Sequence, residues 1–131
     1  MKTITVTAGD EAEVVLGGLT EILRAARGGD TAADPDADTI AVPIRGQGAT
    51  LGAVFAELAR DLLAQLDAQG SGLDSVRLDG LLRGEDGYVG WGYLEGRAAG
   101  GDAPARIDLT GEPTVERTEG GITLELDVVS T

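Results

Sequence analysis

Apolar and polar residues alternate from the start of the chain. Residues 3–8, TITVTA, put Ile4 and Val6 on one side and Thr3, Thr5 and Thr7 on the other, which predicts a strand. The period then changes. Val15, Leu19, Ile22 and Ala26 fall on one helical face, flanked by Leu16 and Leu23. Asp10, with Glu13 three positions on, opens this helix in the manner of a capping box. Arg24 and Arg27 stand in its last turn, where the helix dipole favours cations, and Gly28 and Gly29 stop it. Gly17 and Gly18 inside the helix cost about 1 kcal/mol each against Ala. They predict a close-packing site rather than a break.

An acidic linker, residues 30–38 (DTAADPDAD), leads to a second strand, TIAVPIR, over 39–45. Pro43 cannot donate to a ladder, so this strand is expected at an edge or with a bulge. A second helix is predicted from Thr50 to Gln69. Leu51, Val54, Phe55, Leu58, Leu62 and Leu66 form its apolar face, with Ala59 and Leu63 beside them. Glu57, Arg60, Asp61 and Asp67 are expected to point away, and Gly70 and Gly72 end the helix. The two strand–helix units align at an offset of 36 residues, with Val15, Leu19 and Ile22 meeting Leu51, Phe55 and Leu58. That spacing predicts two similar units and not a solenoid, which needs more copies.

From residue 73 the pattern is all strand. SVRLDGLLR and YVGWGYLEGR flank a GEDG connector and predict a hairpin, with Val89, Trp91 and Tyr93 sharing one face. These aromatics read first as core, and alternatively as a surface that stacks a ligand. A loose loop covers 98–103. An extended segment follows, with a bend or bulge at Gly111–Pro113 and a tight turn at Glu119–Gly121. In ITLELDVV, Ile122, Leu124, Leu126 and Val128 face in while Thr123, Glu125 and Asp127 face out. The order is β-α-β-α-β-β-β-β. It predicts an α+β fold, a single domain over residues 1–131, with two helices packed on one face of a largely antiparallel sheet.

Composition narrows the chemistry. Apolar residues make up 42% of the chain but aromatics only 3%, so the core rests on Leu, Val, Ile and Ala. With no cysteine and no histidine, disulfides, thiolate nucleophiles and the commonest general base are all excluded. No catalytic residue is assigned. The net charge of −13 argues against direct nucleic-acid binding, which needs a basic footprint. No run of about 18 apolar residues predicts a membrane span, and the N-terminus lacks a secretory apolar region, so a cytoplasmic protein is expected. Arginine outnumbers lysine nine to one, the bias of a GC-rich bacterial coding sequence. The aspartates of the linker lack the turn glycine and bidentate carboxylate of a calcium loop, leaving a solvated loop as the main reading and a cation site as the alternative.

Gly46 and Gly48 before the second helix, with Gly52 in its first turn, resemble part of a dinucleotide fingerprint, so Gly46, Gly48 and Thr50 are candidate ligand contacts. Against this, no further strand–helix units follow, and the only lysine is Lys2, which leaves no P-loop lysine. A tight strand-to-helix joint is the competing and favoured reading.

Residues 38–66 and the C-terminal strands resemble the archease family, which is built from a strand-helix-strand-strand (SHS2) module. DTIAVPIRGQGATLGAVFAELA keeps Thr39, the strand through Ile44 and Arg45, and Gly48-x-Thr50-Leu51, with Phe55 where a helix aromatic is common. VERTEGGITLELDVV looks like the family's final hairpin, with Asp127 as the acidic residue between apolar ones. The first acidic position falls on Ala41, and Asp38 stands where the family opens with His. The resemblance implies a non-enzymatic accessory, or chaperone-like cofactor, of an RNA-splicing ligase in tRNA processing. It also implies a divalent cation, Ca²⁺ or Mg²⁺, at acidic residues, of which Asp127 and Asp38 are the candidates here. No other cofactor is expected. A small-ligand or nucleotide-binding module using the Gly46–Gly52 loop, and a structural or oligomerising domain, are the alternatives.

Overall fold

The computed structural model describes residues 2–27, 38–69, 73–97 and 107–130. The elements run β1 (Lys2–Ala8), α1 (Glu11–Arg27), β2 (Thr39–Gly48), α2 (Leu51–Gln69), β3 (Leu73–Gly84), β4 (Gly87–Arg97), β5 (Ile107–Thr118) and β6 (Gly121–Ser130). Most of the acidic linker, residues 30–37, and the loop at 98–103 lie outside the described residues, as do the helix-ending glycines at 28, 29, 70 and 72. No described helix is long and apolar enough to cross a membrane.

Both helix starts follow from short polar side chains. The Glu13 backbone N–H donates to Asp10 Oδ1 at 2.8 Å, and the Ala53 N–H donates to Thr50 Oγ1 at 3.1 Å. Each capping oxygen satisfies a first-turn donor that has no partner within its helix. The apolar faces expected for both helices are buried, from Val15 to Ala26 in α1 and from Leu51 to Leu66 in α2.

The strands form two three-stranded antiparallel sheets, β1-β6-β5 and β2-β4-β3, instead of the single sheet with both helices on one face. The cause is the choice of partner. Strand β2 pairs with β4 from Thr39↔Arg97 to Gly48↔Tyr88, while β1 pairs with β6 from Lys2↔Val128 to Ala8↔Ile122. Each strand–helix unit thus takes its own hairpin. The second unit takes the hairpin next in sequence, and the first takes the last one, so the second unit is inserted within the first. Both follow strand, helix, strand, strand, with the final strand central. The helices share the space inside: α1 contacts β1, β6 and also β3, and α2 contacts β2, β4 and also β5.

Local irregularities fall where proline and glycine place them. Pro43 sits in edge strand β2, whose pairing with β4 runs without a register shift. The β5–β6 register shifts between Thr110 and Thr114, and Gly111 adopts φ +74°, a conformation open to glycine at little cost. Asp61 does not simply point to solvent. Its Oδ2 accepts the Arg45 backbone N–H at 2.8 Å, which ties α2 to edge strand β2.

The paired glycines of α1 are contact points. A Cβ on Gly17 would lie 2.8 Å from Val6 Cγ1, and one on Gly18 would lie 2.5 Å from Phe55 Cε2 and 2.8 Å from Leu124 Cδ2. Gly18 therefore admits both the α2 aromatic and the central strand β6. Gly18→Ala gains about 1 kcal/mol of helix propensity. Overpacking costs about 1–3 kcal/mol and outweighs that gain. Urea unfolding should show a lower midpoint for Gly18→Ala; a higher midpoint would contradict this packing.

Candidate functional site

Four tight connections meet at one end of the molecule: Gly9–Asp10, Ala49–Thr50, Glu85–Asp86 and Glu119–Gly120. Both helices start here and both hairpins turn here. The sequence-predicted ligand residues lie at this end with different fates. Gly46 and Gly48 face α2: a Cβ would come 2.7 Å from the Leu58 backbone nitrogen in the first case and 2.5 Å from Ala53 Cβ in the second. They form the tight strand-to-helix joint. Thr50 caps α2 and lines a cleft of about 530 Å³ bounded by the start of α2, the β3–β4 turn and β5.

Across this end runs a polar network that joins the two strand–helix units. Arg117, near the end of β5, donates through Nη2 to Glu11 Oε1 in a close ion pair. Tyr88, on β4, donates its hydroxyl to the same Glu11 oxygen at 3.1 Å and accepts from Arg117 Nη2 at 3.3 Å. The Arg83 guanidinium lies over the Tyr88 ring, 5.9 Å from its centre. Desolvation acts to raise the pKa of Glu11. The hydrogen bonds from Arg117 and Tyr88, with the charges of Arg117 and Arg83, outweigh it and hold the carboxyl below its ordinary value. Sequence reasoning missed this network. Glu11 and Arg117 are 106 positions apart, and nothing local to either marks the partner.

The candidate cation ligands belong to different strand–helix units. Asp127 lies on central strand β6, where its Oδ1 accepts from Thr3 Oγ1 at 2.5 Å and its backbone carbonyl accepts from Thr110 Oγ1 at 3.1 Å. Asp38 is exposed just ahead of β2. Among the described residues no group of three or more carboxylates is placed to hold a metal ion. Around Asp127 the outer face of β1-β6-β5 is polar, with Thr3, Thr5 and Thr7 set opposite Asp127, Glu125 and Thr123.

The outer face of β2-β4-β3 differs. Val89, Trp91 and Tyr93 do share a face of β4, but it is the outward one, not the core. The inward positions hold Gly90, Gly92 and Gly96 with Leu94. Small inner residues bring α2 close, since a Cβ on Gly90 would lie 3.0 Å from Leu58 Cδ1, and the bulky residues take the other side. Trp91 covers Gly80 and is 37% exposed; Leu82, opposite Val89, is 59% exposed. Arg77 stacks 4.9 Å from the Tyr93 ring centre and bridges Asp79 and Glu95, each at 2.7 Å.

No family model, curated protein or solved structure matches the chain.

A carboxylate with a depressed folded-state pKa stabilises above its unfolded pKa, about 4.3 for Glu, and loses that contribution as pH falls through the lower folded value. Glu11→Gln should therefore lower the urea midpoint at pH 7, with the gap to the parent protein closing on acidification through the lower end of the carboxylate range. A gap that stays constant from pH 7 to about pH 2 would show that the ion pair is not its cause.

Proposed function

We propose that the protein is a non-enzymatic, archease-like accessory protein. It is built from two strand-helix-strand-strand (SHS2) modules, one nested in the other, and docks a partner enzyme on the outer face of β2-β4-β3. The nested arrangement of the two units supports the SHS2 reading. One observation carries the docking reading: among the described residues, both large hydrophobic side chains left exposed, Leu82 and Trp91, lie on this face. Pro43, Val89 and Tyr93 extend it, and Arg45, Arg77 and Glu95 supply charge of both signs around it. Tryptophan and arginine beside apolar neighbours are the residue types that dominate binding energy at protein interfaces.

The size of the face points to a transient partner. Three strands about 4.8 Å apart, rising about 3.4 Å per residue, span roughly 500 Å², against about 800 Å² per partner in a stable complex. The partner suggested by the archease likeness is an RNA-splicing ligase, which the protein would help to take up guanylate and turn over. The absence of histidine and cysteine from the sequence fits a role carried by surface rather than by catalysis.

The test is a ligase guanylylation assay with and without the protein, paired with co-purification. Wild-type protein should raise the guanylylation rate and co-purify with the ligase. A Trp91→Ser/Leu82→Ser variant should lose both while still unfolding in a single cooperative transition. Equal stimulation by the variant would remove the face from the mechanism. No effect of the wild type would remove the ligase.

A further inference from the structure

The cleft at the hairpin end holds guanidinium groups that the fold itself does not use up. Arg117 spends Nη2 on Glu11 and Tyr88, and its Nε and Nη1 have no protein partner among the described residues. Arg83 makes no ion pair among the described residues; it rests on the Tyr88 ring. Both line the cleft of about 530 Å³, where the one lining carboxylate is Glu85. In a chain with ten basic residues and a net charge of −13, two arginines set against Glu85 and the Glu11 partner of Arg117 make the cleft locally neutral where the chain as a whole is acidic. The volume lies within the roughly 300–1,000 Å³ of small-molecule sites. Pro113 and Val115 give the cleft an apolar side, Tyr88 gives it a ring, and the Thr50 hydroxyl, which accepts from Ala53, still has a proton to donate.

We infer that this cleft binds a small phosphate monoester, with Arg83 and the free edge of Arg117 holding the phosphate and the Tyr88–Pro113–Val115 side taking the organic part. Planar guanidinium forks match phosphate oxygens in pairs, which a point charge does not. The acidity of the whole chain selects for a singly phosphorylated ligand, because each added negative charge meets the same repulsive field. The site is not the Gly46–Gly48 loop, whose glycines are filled by α2; it lies beside that loop, on side chains from β3, β4 and β5. It does not depend on the docking face, which is on the outside of β2-β4-β3.

Phosphorus NMR and calorimetry on the full chain test it, with inorganic phosphate, AMP, adenosine and citrate as probes. AMP should bind, adenosine should not, and binding should weaken as salt rises from about 0.05 to about 0.5 M, where the screening length shortens to a few ångströms. Arg83→Gln should weaken AMP at least about tenfold while the chain still unfolds in one cooperative transition, since Arg83 makes no ion pair among the described residues and rests on the Tyr88 ring. Tighter binding of AMP than of inorganic phosphate supports the organic subsite; equal binding overturns that part. Adenosine binding as well as AMP, citrate binding with AMP silent, AMP binding unchanged in Arg83→Gln, or no AMP binding up to about 10 mM, a Kd worth less than 3 kcal/mol, would each overturn the site.

Discussion

The structure depends on the contact of Gly18 with Phe55 and Leu124. Phe55 is the only phenylalanine in the chain and is fully buried. It belongs to α2, Gly18 to α1 and Leu124 to β6, so one contact ties the inserted unit to both halves of the unit that surrounds it. Fully burying a side chain of this size is worth about 1.5–3 kcal/mol. Its larger effect is topological. The first strand–helix pair waits for the last hairpin, 114 residues on by the Ala8↔Ile122 pairing, and the inserted unit supplies the surface on which they meet.

Filling the interior with two helices determines what is left for function. Neither outer sheet face is covered by a described element, and the two differ in chemistry. One carries threonines and carboxylates around Asp127; the other carries Trp91 and Leu82 among arginines. Glycine drives that difference. With Gly90 on the inner side of β4, α2 approaches closely, and Trp91 and Tyr93 of the strand are placed outward. The same economy of space at the hairpin end puts Gly46 and Gly48 under α2 and leaves the adjoining cleft to arginine side chains.

Much of this was legible in the sequence. The capping residue Asp10, the close-packing role of Gly17 and Gly18, the edge position of Pro43 and the bulge at Gly111 each follow from a local rule that a single residue satisfies. Strand pairing did not follow. Both hairpins present alternating apolar faces, and alternation says which side is buried, not against which helix. The outward turn of Trp91 was missed for a related reason: a strand whose inner face is glycine has no apolar stripe to mark it. Glu11, Tyr88 and Arg117 were invisible because only the closed topology brings them together.

Native-state hydrogen exchange tests the interlocked core most directly. If the Gly18–Phe55–Leu124 contact makes the two units one, the slowest amides of β6 and of β4 should exchange only through global unfolding, with the same free energy and the same denaturant dependence. Exchange of the β1-β6-β5 amides through an opening that leaves β2-β4-β3 protected would contradict it, and would mean that the units fold as neighbours rather than around a shared contact.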